Sequence, residues 1–296
     1  ASRERGDHEW FEGHGRGVQS VACSADGRFA ASVALDQTLR VWHLGSDREL
    51  GTWPSMENST SASFSPDGRW IAAAGRYGQV LLWDVALAKQ TRSLDPPAPS
   101  GSTALSDWGP GGLALASWDN KNTTISVWPT IDAQPTRLTI KESVRQIALS
   151  PDGTQVAIAD ASEVKVLEFP GGNELKTLGG HEDMIGDIEF SPDGQIIATA
   201  SHDRTIRLWK LGSRRSIKTF TGHEDRVQDI AWSADGKWIA SVDDQTLRLW
   251  NVETGQLART LSRRNGSIHC LAFGPDGKTI VTGGLDNTVV VWRMFE

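Results

Sequence analysis

The chain has 296 residues, a formal net charge of −7 from 30 basic and 37 acidic residues, and only two cysteines. This balance argues against a surface that binds nucleic acid by neutralising phosphates or docks on anionic lipid, and two cysteines are too few for a disulfide framework. No apolar stretch reaches the length of a membrane span, and the polar start, ASRERGDHEWFEG, is unlike a secretory signal. Thirteen Trp beside one Tyr, with thirty Gly and twelve Pro, point to a turn-rich repeat.

In chain order, an orphan strand, HEWFE at 8–12, comes first and precedes the first Gly-His. Then an Asp-Gly turn recurs as SADG at 24–27, SPDG at 65–68, SPDG at 150–153, SPDG at 191–194, SADG at 233–236 and GPDG at 274–277, with a degenerate GPGG at 109–112. Each is followed by a small apolar run and then, in most copies, by an alternating strand that ends in Trp. These anchors are Trp42, Trp83, Trp128, Trp209, Trp250 and Trp292, with Leu167 in the fourth copy; they lie 41, 45, 39, 42, 41 and 42 residues apart. Three extra residues before Trp128 account for the longest spacing.

Each unit reads as short period-two runs of Val, Ile, Leu and Thr between tight turns, without a sustained helical period. Four strands fill such a unit, and a unit this small must stack on its neighbours to bury its faces. The sequence therefore predicts an all-β fold, a closed seven-bladed propeller of four antiparallel strands per blade, in one domain over 1–296. Only RMFE follows Trp292, so the last unit lacks an outer strand. The N-terminal strand at about 7–12 is expected to complete the C-terminal blade at about 266–294, removing the open edges.

The stretches GGHEDMIGDIEFSPDG at 179–194 and TGHEDRVQDIAWSADG at 221–236, with EGHGRGVQSVACSADG in the same register, resemble the WD-repeat β-propeller family. The Trp-Asp pair of that family survives only at Trp83-Asp84. The resemblance implies an internal hydrogen-bonded brace in a blade: the His of Gly-His, a hydroxyl on the second strand, the Asp of the next turn and the Trp of the third strand. Carried over, the fifth unit supplies His181, Ser201, Asp203 and Trp209 as the one full set. The first keeps His14, Asp36 and Trp42 with Ala34 at the hydroxyl position, and the sixth keeps His223, Asp244 and Trp250 with Val242 there. The seventh keeps Asp286 and Trp292. Units two to four, which have lost members, are expected to be less rigid.

Ser201, His202 and Asp203 are the residue types of a hydrolase triad, but strand neighbours point to opposite sides, so they cannot act on one another. Nor does the chain carry a Gly-rich phosphate loop, a G-x-S-x-G motif or a His pair at metal-ligand spacing. Asp187 and Asp229, at equivalent inner-strand positions, are read as solvated channel residues, with a divalent-ion site as the weaker alternative. The expectation is therefore a non-enzymatic chain with no cofactor and no metal.

The resemblance also implies a protein or peptide partner on the face around the channel. Its contact positions become Gln19 and Leu35, Asn58 and Arg76, Trp118, Arg145 and Asp160, Met184 and His202, Arg226, Gln228 and Asp243, and His269 and Leu285. Trp118 is an aromatic the repeat does not need, and Arg76, Arg145 and Arg226 together would suit an acidic or C-terminal carboxylate ligand. Trp70 and Trp238 are expected to pack between blades, and Trp10 and Trp53 to lie on outer strands. Nucleic-acid and membrane partners are not expected. The reading is a monomeric scaffold in the cytoplasm or, as the family resemblance also implies, a regulatory region of a longer signalling ATPase or kinase.

Overall fold

In the computed structural model, the described residues are 8–46, 48–55, 59–75, 79–94, 105–118, 122–213, 215–263 and 266–294, with the backbone path alone at 8, 105–107 and 118. They form seven four-stranded antiparallel sheets arranged as a ring of blades. Blade one is β2 (Val18–Cys23), β3 (Phe29–Ala34), β4 (Thr38–His43) and β5 (Arg48–Pro54). Blade two is β6 (Ser59–Phe64), β7 (Trp70–Gly75), β8 (Val80–Asp84) and β9 (Lys89–Leu94). Blade three is β10 (Leu105–Gly109), β11 (Gly112–Trp118), β12 (Thr123–Trp128) and β13 (Thr136–Ile140). Blade four is β14 (Gln146–Leu149), β15 (Gln155–Ala159), β16 (Glu163–Glu168) and β17 (Glu174–Gly179). Blade five is β18 (Ile185–Phe190), β19 (Ile196–Ser201), β20 (Ile206–Lys210) and β21 (Ser216–Phe220). Blade six is β22 (Asp229–Trp232), β23 (Trp238–Val242), β24 (Thr246–Asn251) and β25 (Leu257–Ser262). Blade seven is β26 (Cys270–Phe273), β27 (Thr279–Gly283), β28 (Thr288–Arg293) and, from the other end of the chain, β1 (His8–Glu12). The HEWFE strand pairs with β28 from His8 opposite Trp292 to Glu12 opposite Thr288.

Two turn chemistries repeat around the ring. In SADG at 24–27, Ser24 Oγ donates to Asp26 Oδ1 at 2.6 Å, and Arg28 N donates to the same oxygen at 3.0 Å. Phe29 N donates to Ser24 Oγ at 2.9 Å, while Gly27 sits at φ +69°, a left-handed conformation that favours glycine. The same pattern recurs at Ser150, Ser191 and Ser233. At the opposite end, the Asp of the Asp-x-Thr turn accepts from the Thr hydroxyl, as in Asp36–Thr38 at 2.7 Å and Asp203–Thr205 at 2.6 Å.

The core lies between blades. Each cluster joins alternate residues of adjacent sheets, such as Val164 and Val166 of blade four with Ile188, Ile197 and Trp209 of blade five. Both faces of a blade are therefore covered, and the middle strands read as near-continuous apolar runs. Outer strands contribute one large residue to the next blade: Phe11 packs on Trp42 at 5.0 Å and Phe220 on Trp250 at 5.4 Å. Trp238 packs in the blade six–seven core, as expected, and Trp70 lies under the Arg69 guanidinium at 4.8 Å. Trp10 is 44% exposed, whereas Trp53 packs against the blade one–two core.

Candidate binding face and channel

Three blades carry a complete brace rather than one, and its hydroxyl lies two residues earlier than the sequence reading placed it in blades one and five and one residue earlier in blade six. In blade five, His181 Nε2 meets Thr199 Oγ1 at 2.6 Å, and Trp209 Nε1 donates to the same hydroxyl at 2.9 Å. His181 Nδ1 lies 2.7 Å from Asp203. Ser201 is not a member. Its hydroxyl donates to the carbonyls of Asp183 and Met184 at 3.1 and 3.0 Å and accepts from Asp203 N. Thr199 and Ser201 share a strand face, so residue type alone did not separate them; Thr199 is the one in reach of the indole.

Blade one repeats the arrangement with Ser32, not position 34. His14 Nε2 and Trp42 Nε1 both meet Ser32 Oγ at 2.8 Å, and His14 Nδ1 lies 3.0 Å from Asp36. Blade six uses Ser241, at 2.6 Å from His223 and 2.8 Å from Trp250, in place of the expected position 242. Its acid is Asp243 at 2.7 Å from His223, not Asp244, which is exposed. The turn from β23 to β24 is one residue shorter than its counterpart in blade five, so the acid six residues before the Trp falls outside and its predecessor takes the place. Asp243, 2% exposed, is thereby removed from the contact surface. A sequence signal for the hydroxyl exists: it stands ten residues before the Trp in Ser32, Thr199 and Thr282, the last of which accepts from Trp292 Nε1 at 2.8 Å.

Burial holds the His14 and His181 imidazoles below their usual range, outweighing the pull of Asp36 and Asp203. Burial also works against the charge of Asp203, but the Thr205 hydroxyl, the His181 imidazole and the Glu182 N–H outweigh it and hold the carboxyl at about 2. Asp243 is likewise held at about 2, with burial opposed mainly by His223 and Gln245 N–H. The carboxylate contribution to stability is present above the ordinary carboxylate range and is lost as pH falls through these folded values. The imidazole contribution is lost earlier, as pH falls through the ordinary histidine range toward the lowered folded values.

The seven inner strands enclose a channel of ≈ 1170 Å³. Asp187 and Asp229 face it half-buried, yet they are not simply solvated. Asp187 and Asp229 share a hydrogen bond, and Asp187 accepts from Ile230 N at 3.3 Å. Asp229 accepts from Ile230 N at 3.0 Å and, across the next blade boundary, from Leu271 N at 2.7 Å. Glu189 accepts from Trp232 N at 3.0 Å in the same manner, and Ser20 accepts from Ala62 N at 3.1 Å. These side chains staple β2 to β6, β18 to β22 and β22 to β26 through the backbone of the later strand. Burial and the neighbouring carboxylates Asp229 and Glu189 push Asp187 well above the usual range, which favours its protonated form. The pair is thus committed to itself and to backbone amides, and among the described residues no group of three His, Cys, Asp or Glu is arranged to hold a metal ion.

Gln19, Arg145, Asp160, Met184, His202, Gln228 and His269 line the channel, bringing half of the predicted contact positions together. Leu285 stands on the rim 51% exposed, Leu35 is half-buried beside it on blade one, and Arg226 is exposed. Asn58 and Arg76 lie outside the described residues, as does the Trp118 side chain. Arg145 lies 3.7 Å from Asp160 as an ion pair. Exposed Glu182, Asp183, Glu224, Asp225 and Asp244 border the same end of blades five and six. The described rim is therefore mixed in charge, with an acidic side on blades five and six.

Ser201 is fully buried, Asp203 faces His181, and His202 lines the channel, so these three side chains occupy three different environments. Both cysteines are free. Burial pushes the Cys23 thiol to about 12 and the Cys270 thiol well up. Native protein at pH 8 is expected to react with fewer than one equivalent of a thiol-disulfide reagent in the time that denatured protein takes up two. Rapid native labelling of either residue contradicts this.

A family profile described as the IFT122 first beta-propeller matches residues 143–293, and the WD domain, G-beta repeat profile matches 8–43 and 50–84. The chain is 31% identical over 207 residues to WD repeat-containing protein SL1-17 of Schistosoma mansoni, covering 69% of this chain and 54% of that one. It is 30% identical over 245 residues to the serine-threonine kinase receptor-associated protein of Gallus gallus, covering 68% of each. Apoptotic protease-activating factor 1 of Danio rerio is 25% identical over 218 residues, 70% of this chain but 17% of that protein. The chain thus spans about half the length of the first of these relatives and a small part of the last. Seven four-stranded blades, three His–hydroxyl–Trp braces and profile matches over 8–43, 50–84 and 143–293 agree: the chain belongs to the WD-repeat β-propeller family.

Proposed function

We propose that this propeller is a non-catalytic protein-interaction scaffold that binds a peptide or protein segment at the braced end of the channel. The observation that carries the reading is the rim itself. Loops anchored by the His–Asp braces of blades five and six present His202 and Arg226 around the channel mouth, and the blade-seven loop held by Arg263 presents the exposed Leu285. Rigid loops lose little entropy on binding, and an exposed apolar side chain beside charged neighbours suits a buried anchor. The WD-repeat relatives support the class. Similarity to part of apoptotic protease-activating factor 1 favours a second setting, in which the same face regulates a longer signalling protein. A reducing compartment, the cytoplasm, belongs to the proposal and is supported by two unpaired cysteines.

The test is affinity capture with the intact protein, followed by the variants Leu285→Glu and Arg226→Glu with folding checked by circular dichroism. A captured protein is expected to lose at least tenfold in affinity to one or both. Full retention in both, together with loss on substituting Arg69 or Lys237 at the Asp-Gly end, places binding elsewhere and overturns the reading.

A further inference from the structure

Blade seven has no histidine brace. Arg263, 7% exposed, takes that place. Its guanidinium pairs with Asp286 at 2.8 Å and donates to the Thr288 hydroxyl and, at 3.3 Å, to Ser267 O. These are the contacts that His14 makes to Asp36 and Thr38 in blade one, transferred to a longer cation. Room for it comes from Gly266 and Gly284, where a Cβ would collide with the Asp286 carboxylate, the guanidinium and Ser267 O.

The same guanidinium lies over the Trp10 ring, 4.6 Å from its centroid. Trp10 sits on β1, the one outer strand that is not continuous with its blade. It pairs with Val290, where blades one, five and six put Arg40, Arg207 and Arg248 opposite Thr52, Thr219 and Thr260. Blade seven has thus exchanged an Arg–Thr pair for a Val–Trp pair and brought its cation from the preceding linker. A cation held over an indole face and shielded from water attracts it more strongly than an exposed one does.

Arg263 also pins the two loops that carry blade seven's rim. Ser267 O and Asp286 are its partners, and Leu285 N donates to Ser267 Oγ at 2.9 Å, tying one loop to the other. Leu285 in turn lies against Gly17 of blade one, on the far side of the seam.

We infer that Arg263 is a latch that couples closure of the ring by the N-terminal strand to the conformation of the blade-seven rim at 267–269 and 284–288. With β1 seated, Trp10 covers the guanidinium and strengthens its pairing with Asp286. With β1 displaced, the cation is open to water, its pairing is screened, and the two loops loosen together. The latch does not depend on the proposed binding face, although its consequence for binding through Leu285 does.

Hydrogen exchange of the intact chain tests this with Trp10→Thr, Arg263→Met and the double variant. Trp10→Thr replaces a partly exposed ring by the residue that other blades use and is expected to fold. It should speed exchange in 8–12 at least tenfold and in 267–269 and 284–288 at least threefold, leaving 196–210 at wild-type rates. The double variant should exchange in 8–12 no faster than the worse single one, because both remove the same contact. The inference is overturned if Trp10→Thr loosens β1 without the rim, if it leaves both unchanged, if all blades loosen alike, or if the two effects multiply.

Discussion

Thr199→Val is expected to destabilise the propeller by on the order of 3 kcal/mol, and Ser201→Ala by only about 0.5–1.5 kcal/mol. Valine keeps the shape of threonine but leaves both the Trp209 indole N–H and the His181 Nε2 without their shared partner inside a buried network. Each orphaned buried group costs about 1–3 kcal/mol. Alanine at 201 instead removes a hydroxyl that donates to backbone carbonyls and accepts from Asp203 N, at the end of a strand beside a loop. Urea unfolding followed by tryptophan fluorescence reads both. An order of effects reversed between the two sites would return Ser201 to the brace and remove Thr199 from it.

The carboxylate pair in the channel should respond oppositely to two changes that look alike. Asp187→Asn is expected to stabilise the protein at pH 7, and Asp229→Asn to cost about 1–3 kcal/mol. Asp187 is the member of the pair pushed further up, and an amide in its place can donate to Asp229 while its oxygen accepts from Ile230 N. Asp229 uses both oxygens as acceptors, for Ile230 N and Leu271 N, and an amide nitrogen cannot replace one of them. The pH dependence follows from the direction of the shift. A native carboxyl that titrates above its unfolded counterpart binds more protons than the unfolded chain, so its contribution falls as pH rises through the ordinary carboxylate range toward the folded value. Wild type should lose that increment across this window and Asp187→Asn should not. Parallel stability curves for the two proteins, or equal losses for both asparagine variants, would contradict the assignment.

The number of blades, their four strands and the closing role of HEWFE were legible in the sequence because each follows from a period. Six Trp anchors and Leu167, about 42 residues apart, count the seven units, period-two runs count the strands, and the orphan HEWFE strand closes the ring. The Asp-Gly turns were legible for a local reason as well, since a left-handed glycine and an Asp accepting from the N–H two residues on need only neighbouring residues. The braces were legible by residue type but not by position. Thr199 and Ser201 lie on the same strand face, and which one reaches the indole depends on the pairing of β19 with β20. The one-residue deletion that hands the acid role to Asp243 is visible only as register.

What the tertiary structure alone decided are the contacts between units. Asp187 and Asp229 stand 42 residues apart, and nothing in either repeat says that one donates to the other or that Leu271 N meets the second. Arg263 is near neither Trp10 in the chain nor any histidine motif, and ring closure brings 253 residues of separation down to 4.6 Å. A repeat records what each blade must do to fold as a blade. The side chains that join blades, and the Arg263 cation that lies over Trp10 at the seam, are set by how the blades meet, and that arrangement has no period to read.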